Sequence, residues 1–563
     1  MKNSFRALIA SFIVISYSLN SFAQAPMRVE IEAKRNSDDY HIVPVGKNGI
    51  LLFYESSERA KDGGRNWVFT MYNTDFKEVW NKEYPVKGNL DYVDFVSKND
   101  RDIYLLLGHP SGVGTQGITK GNYEIVNVNT ESGSISNING MIPMSSIIDH
   151  FDVMNGYGYL TGISVPSKGT TLLSSCLWIL PIPCISYMIF APMIFVAHPQ
   201  IFQVDLSSGT MSIVSKKLKG MGFVVGTGSS EADKSENIII RNEPDKHSNE
   251  VICYSYSGGG GLSNTIDIKG QPDKIINRAN LLKLNSKESI VIGTYSNAGV
   301  KTGFFRNFGP NRITNGYNAV SNGLFFTKTE DDQTVFTKYY DFSKFESFYK
   351  YLQQKYGSVR ADKRTKHIRQ INYLLLVHDI IQQNDQYVMV AEAYYPEYET
   401  HYEQYYVPGT GTTPGHWETR RVEVFVGFRY THAIVAGFDK EGNKLWDNTF
   451  DIENILTFDL KERIKVLPQG NTTVLAYSFN GNIDTKVIQG NDVVQGKFST
   501  PIETNYKGDK VLYDYAGDMS YWYDNFFVTY GYARIKNTDK PQDKGGKQDR
   551  KRTVFYFNKI AFQ

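Results

Sequence analysis

The chain reads as an all-β protein, a seven- or eight-bladed β-propeller assembled from one recurring group of short strands. Three observations predict it. Aromatic residues make up 14% of the 563 residues, with 38 tyrosines and 33 phenylalanines, and such side chains suit the pleated, half-buried surface of a sheet. Glycine, at 48, is more than twice as frequent as proline, at 19, as tight turns demand. From residue 27 onward, short apolar or alternating runs are separated by Gly, Asn and Asp turns, with a period of about 50 residues for each group of four runs. A lone four-stranded sheet cannot cover both of its faces, so such groups stack on one another. An array of β-sandwich domains is the rival arrangement.

The first residues, MKNSFRALIASFIVISYSLNSFAQAPM, place Lys2 and Arg6 before an apolar stretch from Ala7 to Tyr17, followed by small residues at Ser21 and Ala23. That layout predicts a secretory signal peptide over 1–23, its apolar part shorter than the roughly 20 residues that span a bilayer. The expected destination is the periplasm or the outer cell surface. The formal charge is +2, and Lys2 and Arg6 account for it, leaving the 24–563 domain about neutral. Nucleic acid, which needs a concentrated basic surface, is not an expected partner. The charge-dense KNTDKPQDKGGKQDRKR, from Lys536 to Arg552, mixes signs and reads as a solvated hairpin loop.

The elements follow in order. HIVPVGKNGILLFYES and RNWVFTMYNTDFKEVWNKEYPV give four strands of a first unit. DYVDFV, DIYLLLG and YEIVNVNTESGSISNI give a second, and FDVMNGYGYLTGIS with IFQVDLSSGTMSIVS a third. ENIIIRNEP with EVICYSYSGGGGLSNTIDI, then ANLLKLNSKESIVIGTYS with GLFFTKTEDDQTVFTKYY, continue the pattern. YLLLVHDIIQQNDQYVMVAEAYY with HAIVAGFDKEGNKLWDNTFDI, then IKVLPQGNTTVLAYSF with VVQGKFSTPIE, lead to the last unit. There DMSYWYD, NFFVTYGYARI and TVFYFNKIAFQ supply three strands, and MRVEIEAK near the N-terminus is expected to supply the fourth, sealing an edge. The turns YNTDFKEVWNKEY and FDKEGNKLWDNTF each set a tryptophan after an aspartate-bearing turn, and in this they resemble the outer hairpins of exported quinoprotein-like or WD-like propellers. The resemblance implies shape alone and brings no cofactor residues.

Three insertions interrupt the units. DFSKFESFYKYLQQKYG, within 341–372, predicts a helix over about 343–357, with Ser343 and Glu346 as a capping box, Phe345, Phe348, Tyr349, Leu352 and Tyr356 at helical spacing, and Gly357 as the end signal. The segment 169–204 has no Asp, Glu, Lys or Arg. Pro181, Pro183 and Pro192 break any continuous helix through it. Its large apolar residues Leu177, Trp178, Ile179, Tyr187, Met188, Ile189, Phe190 and Phe195 are expected to meet a membrane surface, another protein or subunit, or the scaffold itself. Cys176 and Cys184 flank its PIP turn and are a candidate disulfide, whereas Cys253 reads as a buried strand thiol. The third insertion, 394–431, holds Tyr394, Tyr395, Tyr398, Tyr402, Tyr405, Tyr406 and Trp417. Rings with polar tips make efficient contacts, so a protein or glycan partner is expected there, unless the tyrosines merely pack on one another across a long hairpin.

Catalytic signatures are weak. His401 and His416 with Glu397, Glu399 and Glu403 lack the spacing of a metal site. GMGFVVG and GTGTTPG lack the strand-to-helix setting of a phosphate loop. No GxSxG elbow is present. The expectation is therefore an exported, non-catalytic binding or scaffold propeller without a cofactor. The alternative is a carbohydrate-active hydrolase or lyase, which would show a central funnel lined by carboxylates or histidines.

Overall fold

The computed structural model describes residues 27–562 apart from 34–38, 60–63, 87–89, 110–117, 165–197, 245–247, 259–260, 298–319, 357–372, 410–413, 454, 459, 507 and 538–550. The expected signal peptide, the residues Leu177 to Phe195, the pair Cys176 and Cys184, Gly357 and most of the 536–552 segment lie outside the described residues.

Where two strands must reverse tightly, the sequence places residues that tolerate a left-handed backbone. Asn155-Gly156 has φ 52 and 81 and Asn480-Gly481 has φ 50 and 72, the two-residue turn whose twist matches that of paired strands. Chain reversals of this kind produce antiparallel meanders, and the fold is all-β and propeller-like. His41–Val45, Gly49–Arg59, Arg65–Tyr72 and Glu78–Val86 form the first unit in chain order. Asp91–Ser97, Asp102–Gly108 and Ile118–Asn129 begin the second. The 20-residue strand Ile135–Met154 completes that unit and then opens the third, which continues through Tyr157–Ser164, His198–Asp205 and Met211–Ile213. Ser164 is the register partner of His198, so the chain leaves for the uncharged insertion and returns from it at one place on the sheet.

A fourth unit covers 221–267 and a fifth 274–341, joined by the single parallel pairing Asp267 with Gln333. In the sixth, Leu374–Val377 and Ile381–Gln383 together precede Gln386–Val407, His416–Phe438 and Lys444–Asp451. The seventh covers 465–501. The eighth consists of Asp509–Tyr523, Phe526–Asn537 and Lys551–Ala561, and its fourth place is taken by Met27–Glu32, paired from Met27 with Lys559 to Glu32 with Val554. The N-terminal strand thus occupies the position expected of it.

Alternation along the strands buries one row of side chains on each sheet face, and the rows meet between units. Among the described residues the apolar clusters link consecutive units: Phe53, Trp67, Leu105 and Val126 join the first to the second, and Tyr123, Phe151 and Phe202 the second to the third. Tyr159, Ile238 and Tyr256 continue to the fourth, Ile239, Cys253 and Phe325 to the fifth, and Phe326, Met389 and Ile434 to the sixth. Val390, Leu475 and Tyr477 reach the seventh, and Ala476, Phe527 and Tyr556 the eighth. A last cluster, with Ile50, Leu52, Trp522 and Phe555, returns from the eighth unit to the first. Trp522 Nε1 donates to the Gly49 carbonyl at 2.8 Å across that junction. Cys253 is buried and free, as expected of a strand thiol, and burial lifts its pKa to about 12.

The two tryptophan hairpins share one packing rule. Trp80 lies over Gly133 in the outer turn of the following unit, and Trp446 lies over Gly490 in the same place one unit on from its own. Both glycines have positive φ, 65 and 59, and a side chain at Gly133 would meet the indole at 3.0 Å. Glycine is required there for conformation and for space.

The helix forms over Glu346–Tyr356, and its Phe348 and Leu352, with Phe345 just before it, are buried between the fifth and sixth units. Its cap differs from the expected Ser343–Glu346 box. Residues Phe342–Lys344 form a 3-10 turn capped by Asp341, whose Oδ1 accepts from Ser343 N at 2.8 Å. The helix N-terminus is held by Asp447 of the sixth unit, whose carboxylate accepts from the amides of Glu346, Ser347 and Phe348 at 3.2, 2.9 and 3.1 Å. A distant carboxylate on three orphan amides satisfies more donors than a local hydroxyl and also complements the helix dipole. Among the described residues, no helix is long and apolar enough to cross a membrane.

Candidate functional site

Two groups of residues carry chemistry: an exposed aromatic arm, and ionisable side chains gathered around the first strands of the units. The arm is the outer part of the hairpin Gln386–Val407 and His416–Phe438, in register from Tyr398 with Phe425 to Val407 with His416. Because directly opposed residues share a face, one face carries Tyr398, Tyr402, Tyr406, Trp417 and Phe425. Tyr406 and Trp417 sit 5.4 Å apart and Tyr398 and Phe425 5.6 Å apart, centroid to centroid. The other face carries Glu399, His401, Glu403, Tyr405, His416, Glu418 and Arg420, tied by Arg420 to Glu403 at 2.9 Å and Tyr405 to Glu418 at 2.6 Å. Tyr402 and Trp417 are the most open, at 72% and 67% exposure, and Tyr395, Tyr398, Tyr405 and Tyr406 are also exposed. Tyr394 is buried against Phe428 and Tyr430 and offers no ring to a partner at that surface. His401 and His416 each pair locally, with Glu399 and Glu418.

The second group was missed by sequence reasoning. Its positions follow from a shared irregularity: the first strands of five units each carry an extra residue or two in their pairing with the second strand. These are Val93, Asp149, Val225, Asn277 and the pair Ala516-Gly517. In the sixth unit the first strand is interrupted between Val377 and Ile381. Bulges kink a strand and re-aim its side chains, and beside them stand Asp94, His150, Arg278, His378, Asp379 and Asp518.

The side chains converge. Lys98 Nζ lies 2.7 Å from Asp152 Oδ1 and also contacts the Ser229 hydroxyl. His150 Nε2 is 3.8 Å from Glu236 Oε1. Burial lifts the Asp94 carboxyl to about 6, against the pull of His150. Burial likewise lifts Glu236, with His150 opposing. For His150 burial works downward, but Glu236, Asp152 and Asp94 outweigh it and favour the imidazolium. On the far side, Glu392 is fully buried and its Oε1 accepts from the amides of Arg463 and Ile464, both at 2.9 Å, and meets His378 Nε2 at 2.7 Å. Asp518 is buried too, yet Lys461, Arg463 and Lys465 hold its carboxyl far below the ordinary range. Lys461 Nζ approaches it to 2.7 Å.

Asp379 connects the two sides. It is exposed to solvent and still hemmed in, so that burial, followed by the Glu462 carboxylate, raises it. His378, His150 and Lys98 pull the other way. His150 and Lys98 belong to the third and second units, neither a neighbour of the sixth. Charges from non-consecutive units therefore lie within electrostatic reach of one carboxyl. Acceptors (Asp94, Asp379, Glu462) and donors (Lys98, Lys461, Arg463) thus occur on both sides.

No protein-family model and no curated protein matches the chain. Among solved structures it is similar to the WD40 domain of SCAP from fission yeast, with 6% identity, a TM-score of 0.37, and 95% of this chain and 98% of that one covered. It is similar to the polysaccharide lyase Uly1, with 9% identity, a TM-score of 0.34, and 95% and 100% covered. It is also similar to cobalt-substituted ACO from Synechocystis, with 9% identity and a TM-score of 0.27, covering 54% of this chain and 64% of that one, less than two thirds of its length. Such distant likenesses leave the chemistry of this chain to its own residues.

Proposed function

We propose that the chain is an exported, closed eight-bladed β-propeller that binds a glycan in the funnel at its axis. The observation that carries this reading is that the Asp379 carboxyl of the sixth unit lies within electrostatic reach of His150 and Lys98, from the third and second. In a ring of eight, such units approach one another only across the centre. The run of apolar clusters from unit to unit and back to the first supports closure over a line of sandwiches, which would bury its cores within domains. Paired donors and acceptors at the funnel match the hydroxyl groups of a sugar.

The test is calorimetric titration of the full chain with neutral and acidic oligosaccharides, beside an Asp379→Asn variant. A ligand bound by the parent and weakened about tenfold or more in the variant is expected, about 1.4 kcal/mol or more. Absence of binding across both classes would refute the reading. A second reading, a carbohydrate-active hydrolase or lyase, is favoured by the carboxyl and imidazole groups that share the funnel, and release of new reducing ends from the bound glycan would establish it. The uncharged insertion is the proposed contact with a membrane surface or a protein partner. Deleting Leu177 to Phe195 is expected to move the protein from a membrane or oligomer fraction to a soluble monomer.

A further inference from the structure

We infer that His150, Asp152 and Glu236 form a binding site for a first-row divalent metal ion of the zinc class. His150 and Asp152 are two apart on the strand Ile135–Met154, so both point to one side of it. Glu236 reaches them from the second strand of the next unit, Ser235–Glu243. One ligand atom from each of the three lies within 4.8 Å of the others. Tetrahedral zinc with bonds of about 2.0–2.2 Å sets its ligand atoms roughly 3.4 Å apart, and His150 Nε2 already stands 3.8 Å from Glu236 Oε1. That separation is too long for a hydrogen bond and close to the span across a metal.

The second observation is the state of Glu236. Its side chain is fully buried, and neither carboxylate oxygen has a hydrogen-bond partner. His150 Nε2 has none either. Leaving a buried carboxylate without a hydrogen bond, with only the imidazole at 3.8 Å opposite it, is costly, and an ion between the two groups lowers that cost. One imidazole with two carboxylates suits zinc or manganese and does not suit calcium, which takes six to eight oxygens. Asp152 already has a cation, since Lys98 Nζ lies 2.7 Å from Oδ1 and 2.9 Å from Oδ2, and its Oδ1 also accepts from the Val153 amide at 2.6 Å. Lys98 therefore competes with the ion, and this marks the site off from a simple ion pair. The site borders the funnel of the proposed function, but metal content is measured with no glycan present, so either reading can fail alone.

The experiment takes the full-length exported protein, strips it with a chelator, and titrates Zn²⁺ or Mn²⁺ against a chromophoric competitor, with elemental analysis of the untreated protein. One bound ion per chain is expected, with affinity reduced at least about tenfold in Glu236→Gln and in His150→Ala. Lys98→Met, which leaves all three ligands in place, is expected to raise affinity because the charge competing for Asp152 is gone. Melting curves confirm that each variant folds, and Zn²⁺ is expected to raise the melting temperature of the parent and of Lys98→Met. Trace metal only, with no response to either ion in the parent and Lys98→Met, overturns the inference. Unchanged affinity in both ligand variants overturns it equally.

Discussion

Replacing Glu392 with alanine removes the acceptor that fastens the sixth unit to the start of the seventh. Its Oε1 receives three donors, the amides of Arg463 and Ile464 and the imidazole of His378, and the methyl group that replaces it receives none. Each orphaned buried donor costs about 1–3 kcal/mol, so the three together cost on the order of 3–9 kcal/mol. A chain of this length unfolds with an entropy of roughly 1.1 kcal/mol per kelvin, which converts that loss to a fall of about 3–8 °C in melting temperature. Glu392→Gln keeps one oxygen for the two amides and loses only the charge opposite His378. It is expected to fall less, by about 1–2 °C. It should also lower the His378 pKa, which stands above the ordinary value because the Glu462 and Glu392 carboxylates outweigh its burial. Thermal melting followed by circular dichroism gives the first quantity and an NMR titration of the His378 ring the second. A Glu392→Ala protein that melts within about 1 °C of the parent refutes the assignment of Glu392 as a strut.

Ring closure predicts that deleting Met27–Glu32, which strips Lys551–Ala561 of its edge partner and Arg552 of Glu30, yields a protein that associates through the bared edge; a monomer of unchanged melting temperature on size-exclusion chromatography would contradict it. Asp514, raised to about 6 by burial with the Tyr556 and Arg28 contacts opposing, binds its proton more tightly in the folded protein. Its contribution is complete below about pH 3.8 and is lost as pH rises through 6, so Asp514→Asn is expected to gain about 1–3 kcal/mol over the parent at pH 7.5 and little at pH 4, read from denaturant midpoints at both pH values. Tyr402→Ser with Trp417→Ser is expected to change stability by less than about 0.5 kcal/mol while weakening capture of a partner on the aromatic face; a large loss of stability in urea would show the arm to be packed.

Much of this architecture can be read from the residues, because its causes are local. Asn155-Gly156 and Asn480-Gly481 turn as such pairs do, the spacing of Phe345, Phe348 and Leu352 marks a helix, and the alternation in MRVEIE suits an edge strand. The cap of the helix could not be read, since Asp447 lies about a hundred residues further on and only the packing of the fifth unit on the sixth brings it to the amides. The tyrosine-rich arm was visible as a long hairpin, but its division into an aromatic face and a charged face depends on register, which the bulges at Tyr394 and Tyr398 reset.

The charged residues beside the bulges were hidden for a different reason. Each unit contributes only one to three charges to an apolar strand, as in IIDHFDVM and LLLVHDII, and taken singly these look like ordinary interruptions. Their meaning comes from recurrence at corresponding places: Asp94, His150, Arg278, Asp379 and Asp518 all stand on or beside the first strand of a unit, next to a bulge or a break. A regular strand would send alternate side chains into the interfaces between units, where an unpaired charge is costly. An extra residue breaks that alternation once and lets the charged side chain leave the apolar row while its neighbours stay in it. Glycines opposite the bulges make room for them, since a Cβ at Gly162 would strike the Ile147 carbonyl and one at Gly293 the Arg278 carbonyl. The same device therefore preserves the continuous apolar core and, in the proposed ring, would supply a polar lining to the axis, and alanine at Gly293 should disturb the placement of Arg278 before it disturbs the core.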